Sequence, residues 1–399
     1  MPNNIYNTPL LAPDSPLDAH SRAVIQQVYD AEWEKSQELP TDDPLDPKRR
    51  KRVELTWNEM WTQPESIRTT LDCEKDAIAE AANCFGRLPI DHIYMTGCGD
   101  SIAVMVAVRS LFEQVLGIPC EPVQALDFTY YNYRPVNQRS MVITLSSSGA
   151  TTRTVEAMML GRALGAHTLA LSNTLDSPLM AESERGLMIH AERKGWPTQS
   201  STAAMAILVD LLLRMGRLRG VNGLHMDALE SAFGQIPGLM ASTLQALNDS
   251  LKEVAEKESQ RKVYLYSGGG PALASAMFGA AKLKECSPDH GICIPLEEFH
   301  HYNSQKAGDP LFLIAPKGPS VPRALDTLHE GQRWGGQVYS IVDARDAALF
   351  EKSDRVFGIA PVPEEFAAFI YTIPVQLFAY HVAMAKFAQA ERGQGSSEL

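Results

Sequence analysis

No two of the six cysteines, at 73, 84, 98, 120, 286 and 293, form a C-x-x-C pair, and their spacing follows no regular framework. That pattern argues against a disulfide scaffold and fits the reduced thiols of a cytoplasmic protein. The opening residues, MPNNIYNTPLLAPDSP, have neither a positive n-region nor an apolar h-region, so no secretory signal is expected. No stretch reads as reaching the ~20 apolar residues of a membrane helix, and no membrane partner is expected. Basic charge is also scarce: 36 Lys+Arg stand against 48 Asp+Glu, a formal net charge of −12. An acidic chain lacks the broad attraction that draws proteins to nucleic acid, so no nucleic-acid partner is expected and any phosphate bound is small and locally recognised. The one basic block, Lys48-Arg49-Arg50-Lys51-Arg52, reads as a solvated surface segment or helix start rather than a nucleic-acid patch.

What the chain does have is core material, with 45% apolar residues over 399 positions, enough for two ordinary domains. Residues 1–52 are rich in Pro, Asp and Asn, with an amphipathic piece near Asp18 to Trp33, and read as an arm that packs on the body or on a partner subunit. A helical pattern follows from Trp57 to Cys84. Apolar runs then appear at Ile93–Thr96, Met141–Leu145, His167–Leu171 and Gly186–Ile189, alternating with helical stretches at Ile102–Leu116, Thr152–Leu164 and Thr202–Leu218. Buried runs of four to six residues alternating with helices predict a parallel sheet covered on both faces. The rhythm restarts at Lys262–Tyr266, with later runs at Leu311–Ile314, Val338–Val342 and Val356–Ile359. Tyr94…Gly97-Cys98-Gly99 aligns with Tyr264…Ser267-Gly268-Gly269 at a shift of 170 residues (264 − 94). The predicted fold class is therefore α/β, two related domains, each a parallel sheet flanked by helices on both faces. The expected division is an arm at 1–52, a first domain at 53–220 with its leading helix, a helical linker at 221–259, and a second domain at 260–399.

Two strand-to-helix turns in the first domain offer anion sites. Gly97-Cys98-Gly99-Asp100-Ser101 permits a sharp turn and close backbone approach, but lacks the third glycine of a dinucleotide fingerprint and is a weak signal alone. Ser146-Ser147-Ser148-Gly149-Ala150-Thr151 puts four hydroxyls in six residues between a buried strand and a helix, at the positive end of the helix dipole. No lysine follows the glycine, which excludes a nucleotide P-loop. Hydroxyls with amide donors suit a phosphate monoester held without a metal; simple helix capping is the plainer alternative. The matching place in the second domain, Ala315-Pro316-Lys317-Gly318-Pro319, lacks the hydroxyls, so one phosphate loop is expected.

The segment MVITLSSSGATTRT at 141–154 resembles the phosphate loop of sugar isomerase (SIS) domains, with their S-x-S-G-x-T pattern. Two tandem copies resemble the isomerase half of glucosamine-6-phosphate synthase and the related sugar-phosphate deglycases and deaminases, over roughly residues 53–386. Gly117–Cys120 and Gln63–Arg68 share the likeness. It implies that Cys98, Gly99, Ser101, Ser146, Ser147, Ser148, Thr151 and Ser201 contact a phosphosugar. It also implies catalysis by Glu285, at the end of Lys282-Leu283-Lys284-Glu285, which moves a proton between sugar C1 and C2, with Lys282 one turn earlier. His301, sixteen residues on (301 − 285), matches the ring-opening histidine, with His300 as its competitor. A carboxylate beside the carbon acid and an imidazole at the ring oxygen suit that chemistry. Cys286, His290, Cys293, His300 and His301 match no common zinc spacing, so neither metal nor other cofactor is expected.

The chain departs from the synthases at several places. Its last residues, Ala390–Leu399, carry no Schiff-base lysine, and no nucleophilic cysteine or glutaminase segment is present. Asp100 replaces a hydroxyl, and Ala203, in Ser201-Thr202-Ala203, stands where the family has lysine. What remains resembles deglycases that split 6-phosphorylated Amadori compounds into sugar phosphate and amine; an amino-sugar phosphate deaminase or isomerase, or a non-catalytic sensor, is the alternative. The family habit of lending a histidine between subunits implies a homodimer.

Overall fold

The computed structural model describes residues 2–395, which divide into two compact units threaded by alternating segments of the chain. The first comprises Met1–Leu39, Ser66–Ala191 and Ser200–Glu230; the second comprises Pro40–Glu65, Glu192–Gln199 and Ser231–Leu399. The expected arm therefore divides between them, and the expected linker is a single helix, Gly223–Glu258, that starts in one unit and ends in the other.

The sheet of the first unit contains β1 (His92–Gly97), β2 (Cys120–Gln124), β3 (Ser140–Leu145), β4 (His167–Ser172) and β5 (Arg185–Met188), in the order β2-β1-β3-β4-β5. The second sheet contains β6 (Val263–Gly268), β7 (His290–Pro295), β8 (Pro310–Ala315), β9 (Gln337–Asp343) and β10 (Arg355–Ile359), in the order β10-β9-β8-β6-β7. Every pairing is parallel. Reading β6 to β10 as copies of β1 to β5 makes the two orders identical, so the α/β duplication expected from the sequence is present. Central strands such as β3 and β8 are buried at all six positions, which is why they read as unbroken apolar runs.

Each sheet also holds an edge strand that the apolar pattern does not reveal. Cys120–Gln124 and His290–Pro295 are only partly buried and contain proline, glycine or charge, as an edge tolerates. The first part of the arm packs on the body: Leu11, Leu17, Ile25 and Val28 join the core of the first unit around Phe128 and Val142. One further expectation is corrected. The segment Glu364–Gly393 is long and apolar enough to cross a membrane, and 94% of its most apolar window is buried within the protein, as for a core helix. Its rings stack inside the second unit, with Phe378 4.3 Å from Phe312 and Tyr380 4.6 Å from Trp57.

Candidate active site

In the first sheet the chain goes from β1 to β2 on one side, then returns to β3 on the other side of β1 and continues to β4. Right-handed crossovers then send the helix after β1, Asp100–Leu116, and the helix after β3, Thr152–Ala163, to opposite faces. The strand ends part between β1 and β3, the switch point where open α/β sheets receive ligands. Both candidate turns lie there, since Gly97 is paired with Leu145.

The serine loop is built as a cradle. Gly149 has φ +61°, and a Cβ added there would lie 2.0 Å from Ser177 Oγ, so only glycine fits the turn. Ser146 Oγ lies 2.9 Å from Thr151 Oγ1 and 3.3 Å from Ser148 Oγ, which gathers three hydroxyls. Thr151 is the N-cap of Thr152–Ala163 but makes no side-chain capping bond, so its hydroxyl is turned to its neighbours rather than to the helix. Among the described residues the N–H groups of Ser147, Ser148 and Thr151 donate to no protein acceptor. Hydroxyls and open amides at a helix N-terminus form an anion site.

Around this loop, Gly99 has φ +57° with open space beside it, Ser101 N donates to Cys98 O at 3.1 Å, and Thr154 Oγ1 donates to Cys98 Sγ at 3.8 Å. Burial pushes the Cys98 thiol up, so it stays a neutral wall rather than a nucleophile. Ser201 and Ala203 are buried in the helix Gln199–Leu218. One residue that sequence reasoning missed borders the cradle. Glu32, on the arm helix Ala19–Ser36, accepts from Thr152 N at 3.0 Å and Thr152 Oγ1 at 2.6 Å. Nothing in the local pattern links two residues 120 apart.

In the second unit the comparable loop is filled from within. A Cβ at Gly318 would lie 2.3 Å from the Glu364 carboxylate, which burial pushes toward its neutral form. Lys317, Gly318, Arg345 and Pro361–Glu364 line a cavity of about 520 Å³ beside it.

The second unit also carries the candidate acid–base residues. Lys282 and Glu285 stand one turn apart on the helix Ala272–Cys286, and the Lys282 ammonium donates to the Glu285 carboxylate. The lysine side chain is 1% exposed and the glutamate 26% exposed, so the pair has one open side. His301 follows the short turn Glu298–His300; its Nε2 lies 3.4 Å from Glu297, and its side chain is 57% exposed. Arg323 grips Glu297 through two 2.7 Å bonds and holds its carboxyl below the usual range. His300 differs: its Nε2 lies 2.9 Å from Thr327 Oγ1, and burial followed by the Arg323 charge pushes its pKa down. His300 is thus engaged in packing while His301 faces outward. Among the described residues no group of three or more His, Cys, Asp or Glu is arranged to hold a metal ion.

The basic block is a helix start, as one of its two expected readings had it, but not all of its members are solvated. Asp46 caps the helix Pro47–Trp61, and Lys48 and Lys51 are exposed, but Arg49 is 3% exposed. Its guanidinium donates to Glu285 O at 3.2 Å, Thr41 O at 2.7 Å and Asp42 at 2.6 Å. Arg52, one turn on, lies 3.6 Å over the Trp196 ring. Burial lowers its pKa, opposed by the charge of Glu285. The helical period is the signal that separates Arg49 and Arg52 from the solvated lysines.

With this geometry in place, comparison with known proteins is decisive. A family model described as SIS domain matches residues 89–215 and again 258–386. The chain belongs to the SIS domain family. Among its relatives, the glutamine–fructose-6-phosphate aminotransferase (isomerizing) of Pyrococcus horikoshii is 28% identical over 338 residues, covering 84% of this chain and 55% of that protein. The protein of the same name from Escherichia coli K12 is 29% identical over 339 residues, with coverages of 82% and 55%. The SIS chain thus spans about half the length of these relatives. Among solved structures, the C-terminal domain of glucosamine-fructose-6-phosphate aminotransferase from Francisella tularensis shares the fold with a TM-score of 0.73 at 23% identity, over 82% of this chain and 95% of that one. Glucosamine-6-phosphate deaminase from Thermotoga maritima also shares the fold, with a TM-score of 0.60 at 17% identity, covering 80% of this chain and 95% of that one.

Proposed function

We propose that this SIS protein is a deglycase acting on a 6-phosphorylated fructosamine, releasing sugar 6-phosphate and an amine. The carrying observation is the Lys282–Glu285 pair, a carboxylate with one open side oriented by a buried ammonium. In the proposed reaction the phosphate is held by the hydroxyls and amides of Ser146–Thr151, with Cys98, Gly99, Ser101 and Ser201 around the sugar. His301 takes the proton of the C2 hydroxyl and delivers it to the ring oxygen, so that the bond between C2 and the ring oxygen breaks and the open-chain ketone forms. Glu285 takes a proton from C1 as the C2 carbonyl oxygen gains one from solvent, leaving an enaminol, and returns its proton to C2 while the nitrogen releases one to solvent, giving the C1 imine. Water adds to the imine carbon, the C–N bond breaks, and the amine leaves with the proton that water supplied. Lys282 orients the carboxylate throughout. Nothing in the chemistry calls for a metal or redox group.

Support comes from the hydroxyl cradle, from the outward-facing imidazole, and from relatives whose names include a fructose-6-phosphate aminotransferase and an amino-sugar phosphate deaminase. The same residues would serve an amino-sugar phosphate deaminase, and the last of those names keeps that reading as the second. We expect Glu285→Gln to lower kcat at least a thousandfold while sugar-phosphate binding, measured by calorimetry, stays within a few-fold of wild type. Turnover near the wild-type rate would remove Glu285 from the mechanism. Mass-spectrometric products from a panel of 6-phosphofructosamines and amino-sugar phosphates separate the two readings.

A further inference from the structure

Glu285 stands on the last turn of its helix, the turn with the fewest backbone bonds. Pro288 has no N–H and cannot extend the ladder, and Ser287 before it is extended, at φ −128° and ψ 160°. The final helical bond runs from Ser287 N to Leu283 O at 2.8 Å, so the Glu285 carbonyl lies beyond the ladder. An end turn of this kind frays unless another segment holds it. A base that moves a proton between neighbouring carbons tolerates little fraying, because a displacement of about 1 Å can cost about a hundredfold in rate.

Arg49 provides the hold. All three nitrogens of its buried guanidinium are engaged, Nη1 on Glu285 O, Nε on Thr41 O and Nη2 on Asp42. Thr41 is fixed in turn by Asp46, which accepts from Thr41 N at 2.7 Å and from Thr41 Oγ1 at 2.9 Å. Asp46 is also the N-cap of Pro47–Trp61, through Lys48 N at 2.8 Å. The fork is thus oriented from the start of its own helix before it reaches Glu285. Val53, one turn after Arg49, packs with Cys286, so the same helix face meets the next residue as well. A cation is favourable beside the free carbonyls of a helix C-terminus, and a planar fork fixes direction as a lysine ammonium does not.

Glu285 is therefore gripped at both ends, its carboxylate by the Lys282 ammonium and its carbonyl by Arg49. We infer that Arg49 is a positioning residue for the proton transfer, acting through the backbone of Glu285 to keep its carboxylate in place. This rests on Glu285 as the base of the proposed reaction. The stretch at 40–52, read from the sequence as the end of an arm, then supports that base.

The test uses Arg49→Met, which removes the donors but keeps an unbranched stem, and Arg49→Lys, which keeps one cationic donor. Calorimetric titration with glucose 6-phosphate counts the folded, binding-competent sites, and kcat on a 6-phosphofructosamine is taken per such site. A purely structural role would lower the number of sites and leave that kcat alone. The expected kcat is down about a hundredfold in Arg49→Met and less in Arg49→Lys, with KM and glucose 6-phosphate binding within a few-fold of wild type. Deuterium at C1 should then slow Arg49→Met further, because proton transfer has become the slow step. A kcat near that of wild type, or a loss without an isotope effect, overturns the inference. So does an equal loss in Lys51→Met, an exposed position on the same helix, which would trace the effect to net charge. If Arg49→Met gives no folded protein, Arg49→Lys decides by the same measurements. Glu285→Gln run alongside separates the two assignments. Turnover there at the wild-type rate defeats the proposed reaction, whereas an inactive Glu285→Gln beside a fully active Arg49→Met excludes Arg49 alone.

Discussion

Two glutamates in the first unit show how single side chains set conditions for this protein. Glu32 brings a negative charge to the N-terminus of the helix that also ends the serine cradle. A carboxylate there is stabilised by the helix dipole, but it opposes a second anion one residue away. Glu32→Gln should therefore tighten binding of inorganic phosphate about three- to ten-fold, a factor within the helix-dipole range; calorimetry reads it, and weaker binding would show that Glu32 organises the loop instead. Glu156 is 1% exposed, pairs with Arg153, and has its pKa pushed up to about 7 by burial. Because the folded protein holds this proton more tightly than the unfolded chain, the contribution is full below pH ~4.5 and is lost as pH rises to about 7. The loss is on the order of 3 kcal/mol. Melting temperatures taken from pH 5 to pH 8 should fall in wild type and stay flatter in Glu156→Gln. A parallel fall in both would assign the slope to other groups.

At the scale of elements, the serine loop depends on one backbone conformation. Gly149→Ala combines a positive φ with a methyl group against Ser177, and should cost roughly 1–3 kcal/mol of stability and abolish phosphate binding. Unchanged melting and binding would mean that the turn relaxes freely. This loop, the central strands and the Lys282–Glu285 helix were all legible because each has a compact local pattern: a hydroxyl cluster, an apolar run, a short motif. The edge strands β2 and β7 were not, since half-wet strands with Pro122 or Gly291 look like loops. Arg52 was hidden for a different reason. In a run of five basic residues every member looks solvated, and only the helical period places Lys48 and Lys51 outside while Arg49 turns inward. Glu32 and Trp196 could not be read at all, because their relevance arises from contacts with distant segments. On the helix Ala367–Gly395, His381 bonds Asn248 at 2.9 Å, and burial lowers its pKa to about 4. A depressed histidine adds stability above pH ~6.5 that is lost as pH falls toward 4, so His381→Gln should flatten the acid side of the melting profile.

For the whole molecule, the proposed homodimer predicts a particle of about 88 kDa, twice 43.8 kDa, in sedimentation. If His301 serves the neighbouring subunit, Glu285→Gln and His301→Ala proteins, each inactive, should regain activity when their subunits are exchanged. Random mixing makes half the dimers mixed, each with one intact site in two, so recovery should approach about a quarter of wild type. No recovery under proven exchange would place both residues in the same subunit's site. The likeness of the two sheets was visible as a shift of 170 residues, but their interleaved threading was not, because it depends on where helices dock rather than on what they are made of.

That threading has a consequence for synthesis. The helix Pro47–Trp61 is complete 306 residues before the helix Ala367–Gly395, on which it packs, begins (367 − 61). At roughly 5–20 residues per second, its docking surface follows on the order of fifteen to sixty seconds later. Through that interval Val53, fully buried in the finished fold, lacks Ala383 and Phe387, with which it packs. The nascent chain thus holds an unsheltered apolar face until the helix Ala367–Gly395 emerges, and soluble yield should respond to chaperone supply and to the speed of translation.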